Sequence, residues 1–361
     1  MIIPEETLEL IRQLSDARGA SGFEDEVLDI ARKNASDIAD IHEDCLRNLY
    51  MYPKTNTGRR PLFMLDAHSD EVGFMVHSIK PCGTLRFVPL GGWNVGALPA
   101  SKVLVRNADG DYIPGVIAAK PVHFMSAAEK ASGAPADISS LVIDIGATSA
   151  EDAINNFKIR IGEPVVPDVC FEYNEKRDIM IGKAFDCRIG CAALLETMRR
   201  LSGETLNVDV AGVLSSQEEL GERGVRVAVQ KVRPDIALCF EGCPADDTFT
   251  QPYAIQTALK KGPMLRFMDR SIVCSPRYQR FALQLADQLK LPVQSSVREG
   301  GGNNGAVINT ALDGIPVIVI GVPVRYIHSH YGITSCYDFE ATVRLATEIV
   351  KAMTAERIES F

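Results

Sequence analysis

Side chains of the types that bind metal ions follow several hydrophobic, strand-like segments of this sequence. They are His68 after FMLDA, Asp186 after MIGKAF, Glu218-Glu219 after VLSSQ, Glu241 after IALCF, and His328 after the VIVIGVP run. In open α/β sheets the carboxyl ends of the strands form the ligand crevice, so such side chains can meet although they are far apart in the chain. Imidazole and carboxylate ligands suit zinc, cobalt or manganese. The sequence therefore indicates a metal site assembled from strand ends.

Each of these residues, taken alone, has a plainer interpretation. A single histidine or aspartate at a strand end is more often a cap, a turn former or a solvated side chain than a ligand. The pair Glu218-Glu219 is more informative, because adjacent strand residues point to opposite faces and one carboxylate would be buried at high cost without a cation. A metal ion is the simplest explanation of the whole set.

Hydrophobic periodicity predicts the elements that must hold these residues. Two helical patterns open the chain, from Pro4 to about Ala17 and from about Phe23 to Ala35, and the second begins with a capping-box spacing at residues 21–24. Residues 61–67 form a short apolar run typical of a buried strand, and His68 stands at its carboxyl end. Strand and helix alternate after about Pro167, which is typical of an α/β sheet.

The sequence changes character between about Gly73 and Gly162. Short strand-like segments punctuated by Gly, Pro and Asp predict a small β-rich domain there. Because residues that follow the strand at 61–67 must meet residues that follow the strand at 179–185, this segment is expected to leave the main sheet and re-enter it. We predict a discontinuous domain of residues 1–73 and 166–361 that carries the candidate ligands, with an inserted β-rich domain at 74–165.

Composition narrows the class of protein. The 361 residues are 46% hydrophobic and 24% charged, which is typical of a globular protein of about two domains. The net charge of −9 argues against a nucleic-acid partner, which would need clustered Lys and Arg. The first residues do not resemble a secretory signal, and no apolar run approaches the ~20 residues of a membrane-spanning helix. We expect a cytoplasmic protein with no membrane partner.

Nine cysteines, an odd number scattered along the chain, are not a disulfide framework, so reduced thiols are expected. Cys187 with Cys191 and Cys239 with Cys243 read C-x-x-x-C, which raises the possibility of a structural zinc site. Both pairs lie in apolar runs, however, and small buried residues are the plainer expectation.

Three segments carry a resemblance to a known family. DAHSDEVGF, GKAFDCRIGCAALLE and SSQEELGERG resemble, in this order, the H-x-D-E-[IV]-G, D-[DN]-R-x-G-x-x-x-x-L-E and Q-E-E-x-G-x-[RK]-G motifs of the glutamyl, deblocking and tetrahedral aminopeptidases, metallopeptidase family 42 of the MH clan. Some members also carry cellulase or endoglucanase labels, although a metal site of His and carboxylates does not resemble glycosidase chemistry. The resemblance implies a three-layer, mixed-sheet, zinc-exopeptidase-like domain with an inserted barrel-like domain that serves dimerisation and substrate access.

The resemblance also implies a ligand set. Asp186 would bridge two divalent metal ions, of which one is completed by His68 and Glu241 and the other by Glu219 and His328. Three protein ligands for each ion leave positions for water and substrate, which is typical of a catalytic site. Zinc is the expected metal, with cobalt and manganese as alternatives.

Two further residues receive roles from the resemblance. Asp70 would hold the outer nitrogen of His68 and fix the orientation of the ring. Glu218 would be the general base that takes a proton from a metal-activated water. The implied activity is hydrolysis of N-terminal residues from short peptides by a homo-oligomer, in which dimers assemble into a dodecamer.

The sequence departs from the family pattern at three positions. Cys187 stands where the family often has an acidic residue, and Glu241 where many members have Asp. Asn304, in GGGNNGA, replaces the acid of G-G-T-D-A and removes a negative charge. Arg325, His123 and Asn304 are candidates for the substrate pocket. The departures keep two alternatives open: a related metal-dependent deacylase or amide hydrolase, and a catalytically impaired scaffold of the same fold.

Overall fold

The protein was analysed as a computed structural model, which describes residues 3–127, 130 and 137–361. The chain separates into two compact units. Unit 1 comprises Met1–Glu71, Cys170–Ile327 and Tyr331–Phe361, and unit 2 comprises Val72–Val169 and His328–His330. The units change at residues 71/72 and 169/170, and the predicted domain boundaries are at 73/74 and 165/166. The grouping of residues 328–330 with unit 2 was not predicted.

Unit 1 is built on a mixed β-sheet. In the described part of the chain its eight strands have the spatial order Ala39–Glu43, Leu49–Pro53, Asp209–Ser215, Leu62–His68, Ile236–Pro244, Val317–Val324, Met264–Met268 and Gln294–Val297. The four strands from Asp209–Ser215 to Val317–Val324 are parallel to one another, and antiparallel neighbours flank them on both sides. These central strands are buried on both faces, which explains their continuous apolar sequences.

Helices cover both faces of this sheet. One face packs against Glu5–Asp16, Asp25–Ala35, Phe185–Leu201, Pro276–Gln288, Cys336–Lys351 and the short Ala355–Glu359. The other face packs against Arg223–Val232 and Asn304–Asn309. The predicted three-layer α/β arrangement with a mixed sheet is therefore confirmed.

A small antiparallel sheet accompanies the main one in unit 1. Its strands are Glu172–Asn174, Ile179–Gly182 and Gly332–Thr334, and 3-10 turns occur at Glu175–Arg177 and Pro252–Ala254. The strand Ile179–Gly182 leads directly into the segment that carries Asp186.

Unit 2 is a closed β-barrel. Its strands among the described residues follow the order Gly73–Ile79, Leu85–Leu90, Ile143–Asp144, Tyr112–Ile117, Lys102–Arg106 and Pro164–Pro167. The helix Ala150–Asn155 and 3-10 turns at Val95–Ala97, Val122–Phe124 and Ile138–Ser140 complete this unit. Its own hydrophobic core includes Phe74, Val103 and Ile143, and the core fills the barrel.

The predicted capping box at residues 21–24 is wrong. The helix begins at Asp25, and no side chain caps it. Ser21 Oγ instead donates to Asp70 Oδ2 at 2.6 Å, and Glu24 Oε1 accepts from the backbone N–H of Gly22 at 2.8 Å. The carboxylate of Asp70 is a strong acceptor, so the serine hydroxyl donates to it, whereas a helix cap would use the serine oxygen as the acceptor of a backbone N–H.

None of the described helices is long and apolar enough to span a bilayer.

Candidate active site

His68 ends the strand Leu62–His68, and its ring is buried. Its Nε2 lies 3.2 Å from Asp186 Oδ1 and 3.8 Å from Glu241 Oε2. Its Nδ1 lies 3.4 Å from Asp70 Oδ1 and 3.2 Å from the Asp70 carbonyl oxygen. One ring nitrogen therefore faces two carboxylates, and the other faces Asp70.

Sheet register explains why Glu241 meets His68. The strands Leu62–His68 and Ile236–Pro244 pair in parallel, with Cys239 opposite Asp66. Side chains two residues apart on a strand point to the same face. Glu241 and His68 are each two residues further on, so both side chains emerge on the same face of the sheet, His68 at the end of its strand and Glu241 three residues before the end of its own.

Asp186 lies in a local break at the start of the helix Phe185–Leu201. Its backbone has φ −86° and ψ 105°, Cys187 is also non-helical, and the peptide bond between them is cis. The regular helix therefore runs from Arg188 onward. The extended conformation at Asp186 places its carboxylate beside the ring of His68.

Glu218 and Glu219 lie in a turn after the strand Asp209–Ser215. The prediction that they are adjacent strand residues was therefore wrong, and the two carboxylates do not point to opposite faces of a sheet. Asp70 fixes this turn, because its carboxylate accepts from the backbone N–H groups of Glu218 at 2.9 Å and Glu219 at 3.2 Å. Glu218 Oε2 lies 4.0 Å from His68 Nε2.

The potential ligand atoms of unit 1 fall into two groups, each with all its atoms within 4.8 Å of one another. One group contains His68, Asp186, Cys187 and Glu241, and the other contains His68, Glu218 and Glu219. Zinc bonds to nitrogen and oxygen of about 2.1 Å in a tetrahedron would separate neighbouring ligand atoms by roughly 3.4 Å. The measured 3.2 and 3.8 Å from His68 are close to that spacing. The residues therefore fit a divalent metal ion.

The pKa shifts of the clustered side chains also indicate a cation site. Burial, together with the charges of neighbouring carboxylates, holds the pKa of Glu218 and of Glu241 well above the ordinary range. Burial lowers the pKa of His68, but Cys187 and Glu218 outweigh it, so the pKa lies well above the usual value. Buried acids that raise one another's pKa values indicate a missing positive charge, and a divalent cation would supply it.

His328 is grouped with unit 2 and has a left-handed backbone with φ +56°. Its Nδ1 lies 2.9 Å from the carbonyl oxygen of Gly92. A carbonyl only accepts, so Nδ1 carries the hydrogen in this pair, and Nε2 is then the nitrogen with the lone pair. In this tautomer Nε2 is the nitrogen that can bind a metal ion.

The three predicted pocket residues have different environments. Arg325 forms a two-pronged ion pair with Asp247, at 2.9 Å from Nε and 2.6 Å from Nη2. Asn304 is buried and donates to Asp66 Oδ2 at 2.8 Å and Ser215 Oγ at 2.7 Å. His123 is exposed in the 3-10 turn Val122–Phe124 of unit 2.

Sequence reasoning missed Asp66. Its carboxylate is buried on the same face as His68, and burial raises its pKa to about 6 despite the hydrogen bond from Asn304. The charge that Asn304 lacks is therefore present on its hydrogen-bond partner. The signal was an acidic residue inside the apolar run FMLDAH, two residues before a candidate ligand.

Comparison with known proteins agrees with this geometry. A family model described as M42 glutamyl aminopeptidase matches residues 48–345. The glutamyl aminopeptidase of Lactococcus lactis subsp. cremoris (strain MG1363) is 32% identical over 354 residues, which cover 98% of both chains. These matches confirm the resemblance of the three sequence motifs.

Solved structures extend the similarity to the fold. The TET aminopeptidase from the marine sediment archaeon Thaumarchaeota archaeon SCGC AB-539-E09 is 36% identical, with a TM-score of 0.94 over 99% of both chains. PhTET1-12s, a dodecamer in the asymmetric unit, is 25% identical, with a TM-score of 0.84 over 96% of this chain and 99% of the other. The chain therefore belongs to the M42 glutamyl aminopeptidase family and is a metal-dependent aminopeptidase.

Proposed function

We propose that this aminopeptidase removes N-terminal residues from short peptides with two divalent metal ions per chain. Asp186 would bridge them, with His68 and Glu241 on one ion and Glu219 and His328 on the other. The observation that carries the proposal is the set of buried His68, partly buried Asp186 and buried Glu241, whose ligand atoms already have the spacing of a metal site. Bound divalent ions would supply Lewis acidity to the scissile carbonyl and would lower the pKa of a water.

Glu218 is the proposed general base. Its carboxylate lies at the edge of the ligand cluster, 4.0 Å from His68, and its backbone N–H is held by Asp70. A carboxylate at this place can accept a proton from a water bound at the ligand cluster. In the proposed reaction Glu218 accepts the proton of the attacking water and then donates it to the leaving amine.

Asp70 is proposed to orient both the ring of His68 and the Glu218-Glu219 turn. Its side chain accepts from the Ser21 hydroxyl at 2.6 Å and from the amides of the Glu218-Glu219 turn, and it also faces His68 Nδ1. Burial alone would raise the pKa of Asp70, but these hydrogen bonds hold it below its usual value. A carboxylate that stays ionised keeps the imidazole ring and the turn in fixed positions.

The substrate pocket is proposed to include Arg325, since its guanidinium is only partly covered and Asp247 fixes its direction. Asn304 is proposed to act through Asp66, which it contacts directly. His123 remains a proposed pocket residue on the strength of the family resemblance.

Zinc is the proposed metal, because imidazole and carboxylate ligands suit it. The proposed assembly is a homo-oligomer, and the dodecamer of PhTET1-12s, a relative of similar fold, supports this. The cytoplasm is the proposed location, since all nine cysteines are free thiols, as in proteins of reducing compartments.

Substitution of the base tests the mechanism. Glu218→Gln keeps the shape of the side chain but removes its basicity, so kcat on aminoacyl chromogenic substrates should fall by at least about a hundredfold. Two zinc ions per chain should still bind. Glu222→Gln is the matched control, because among the described residues its side chain forms an ion pair with the exposed Arg226 alone, at 3.5 Å, and its kcat should stay near the native value. Unchanged turnover by Glu218→Gln would refute the assignment.

A further inference from the structure

Cys187 lies inside the metal-ligand cluster rather than beside it. Its Sγ is one of four potential ligand atoms, with those of His68, Asp186 and Glu241, that all lie within 4.8 Å of one another. The side chain is fully buried. A thiol at this place adds a soft ligand to a set that otherwise consists of imidazole and carboxylates.

The surrounding backbone fixes the position of this sulfur. Sγ lies 3.2 Å from the carbonyl oxygen of Phe240, the residue before Glu241. A Cβ at Gly190 would stand 2.4 Å from Sγ, so a larger residue at that position would displace the sulfur from its present place. The thiol is therefore held between the first turn of the helix and the strand that carries Glu241.

The other cysteines of this region differ from Cys187. Cys191 Sγ, on the same helix, contacts the backbone carbonyl of His68 at 3.0 Å and not its ring. Cys239 Sγ lies 3.7 Å from Asp66 Oδ2. In the part of the chain that the structure describes, neither sulfur belongs to a group of potential ligand atoms. The placement of Cys187 is therefore specific and is not a general property of a cysteine-containing core.

We propose that Cys187 is a ligand of the ion held by His68, Asp186 and Glu241, and that it gives this site a preference for zinc and cobalt over manganese. Soft thiolate ligands select such metals, whereas manganese prefers oxygen. On binding, the thiol loses its proton to solvent and the sulfur forms a bond to the ion. The inference rests on the proposed function only in that an ion occupies this cluster.

Cobalt(II) spectroscopy tests the proposal on the full-length protein. Cobalt in the site gives visible d–d bands whatever its ligands, and a cobalt–thiolate bond adds an intense charge-transfer band in the near ultraviolet. The native protein should show both, and Cys187→Ser should lose the charge-transfer band but keep the visible bands. Cys191→Ser is the matched control and should keep both.

The outcomes separate this inference from the proposed function. Visible bands without a charge-transfer band in the native protein would overturn the Cys187 assignment and leave the metal site intact. A folded native protein that binds neither cobalt nor zinc would overturn both. X-ray absorption at the zinc edge of the native protein makes the test independent of any variant, because a sulfur neighbour must be present if the proposal holds.

Metal competition adds a second measurement. The ratio of zinc to manganese affinity should fall by at least roughly tenfold in Cys187→Ser, because the soft ligand is lost while the hard ones remain. In Cys191→Ser the ratio should stay at the native value. An unchanged ratio in Cys187→Ser would count against the proposal.

Discussion

Asp70 and Glu71 are neighbours in sequence, yet they belong to two buried charge clusters of different kinds. Glu71 meets Lys183 Nζ at 2.6 and 2.8 Å and Arg188 Nη2 at 3.4 Å, and all three side chains are buried. Both cations also donate to backbone carbonyls, Lys183 to Ala17 and Arg188 to Leu14. This cluster contains its own counter-charges, and its hydrogen bonds lie within the protein.

The cluster beside Asp70 lacks that balance. Asp186, Glu218 and Glu241 surround the single imidazole of His68, and the carboxylates raise one another's pKa values. Burial of ions is favourable only when partners compensate the lost hydration. The comparison indicates that the Glu71 cluster is complete in the apoprotein, whereas the His68 cluster requires an added cation.

Removal of one cation from the complete cluster should have the largest effect on stability. Lys183→Met is similar in size but leaves Glu71 with Arg188 alone, so the free energy of unfolding should fall by about 3–5 kcal/mol. Urea denaturation with metal present measures it. Lys351→Met is the control, because its ion pair with Glu204 is partly exposed and should contribute less than about 1 kcal/mol. Equal losses in the two variants would contradict the comparison.

Metal removal should have the next largest effect, and it should act through the other cluster. With free zinc at a hundredfold excess over its Kd, binding stabilises the folded state by about 3 kcal/mol, which a chelator would remove. Thermal unfolding with zinc and with chelator measures the difference. Asp186→Asn should abolish the difference, whereas Lys351→Met should retain it. A native protein that is insensitive to the chelator would contradict the need for a cation.

Glu24 shows a third way to bury an acid. It is fully buried, and burial followed by the charge of Asp70 raises its pKa from 4.5 to about 7. Folding therefore favours its protonated form, so its contribution to stability is complete below pH 4.5 and is lost as the pH rises through 7. The free energy of unfolding of Glu24→Gln, compared with that of the native protein, should therefore rise by on the order of 2 kcal/mol between about pH 5 and pH 8.

Denaturation at several pH values measures this gain. Glu26→Gln is the control, because the ion pair of Glu26 with Arg18 is partly exposed and its loss should cost less than about 1 kcal/mol. A stability difference between Glu24→Gln and the native protein that does not depend on pH would show that Glu24 is ionised throughout.

The contact between Asp66 and Asn304 should give the smallest effect. Asn304→Asp places a second acid against Asp66 with no cation between them, so the free energy of unfolding should fall by about 1–2 kcal/mol at neutral pH. Asp66→Asn in the same chain should restore most of the loss, because the pair again holds one charge. A double-mutant cycle measures the coupling. Failure of the second change to rescue the first would show that the two side chains act independently.

The sequence was sufficient to predict the mixed α/β sheet. It also singled out candidate ligands, of which His68, Asp186 and Glu241 lie near one another in the structure. Strong apolar runs such as FMLDAH and IALCFE determine central strands, and parallel pairing brings their polar carboxyl-terminal residues to one edge of the sheet. The family motifs supplied the roles proposed for Asp186 and Glu218, which no periodicity could suggest.

Other features depended on tertiary partners. Ser21 and Glu24 have capping-box spacing, but Asp70, distant in sequence, takes the serine hydroxyl. The position of the Cys187 sulfur depends on Gly190 and Phe240. Gly190 contributes by having no side chain where the sulfur lies, and the Phe240 carbonyl oxygen contacts the sulfur. Asp66 and Asn304 are 238 positions apart in the sequence. Only the folded structure shows that the charge absent at Asn304 is carried by the neighbouring Asp66.

The long separation along the chain between the strand Leu62–His68 and its neighbours also has a kinetic consequence. Leu62 pairs with Asp209, so the whole barrel segment lies within the loop that this pairing closes. Contacts between residues so far apart are expected to form late, because closing the loop costs conformational entropy before the strand pairing stabilises the sheet. With the ligand set proposed here, His68 and Glu241 would hold an ion together only after most of unit 1 has folded. Zinc uptake should accordingly report the last step of maturation, and a nascent chain that ends before Glu241 should bind the ion weakly.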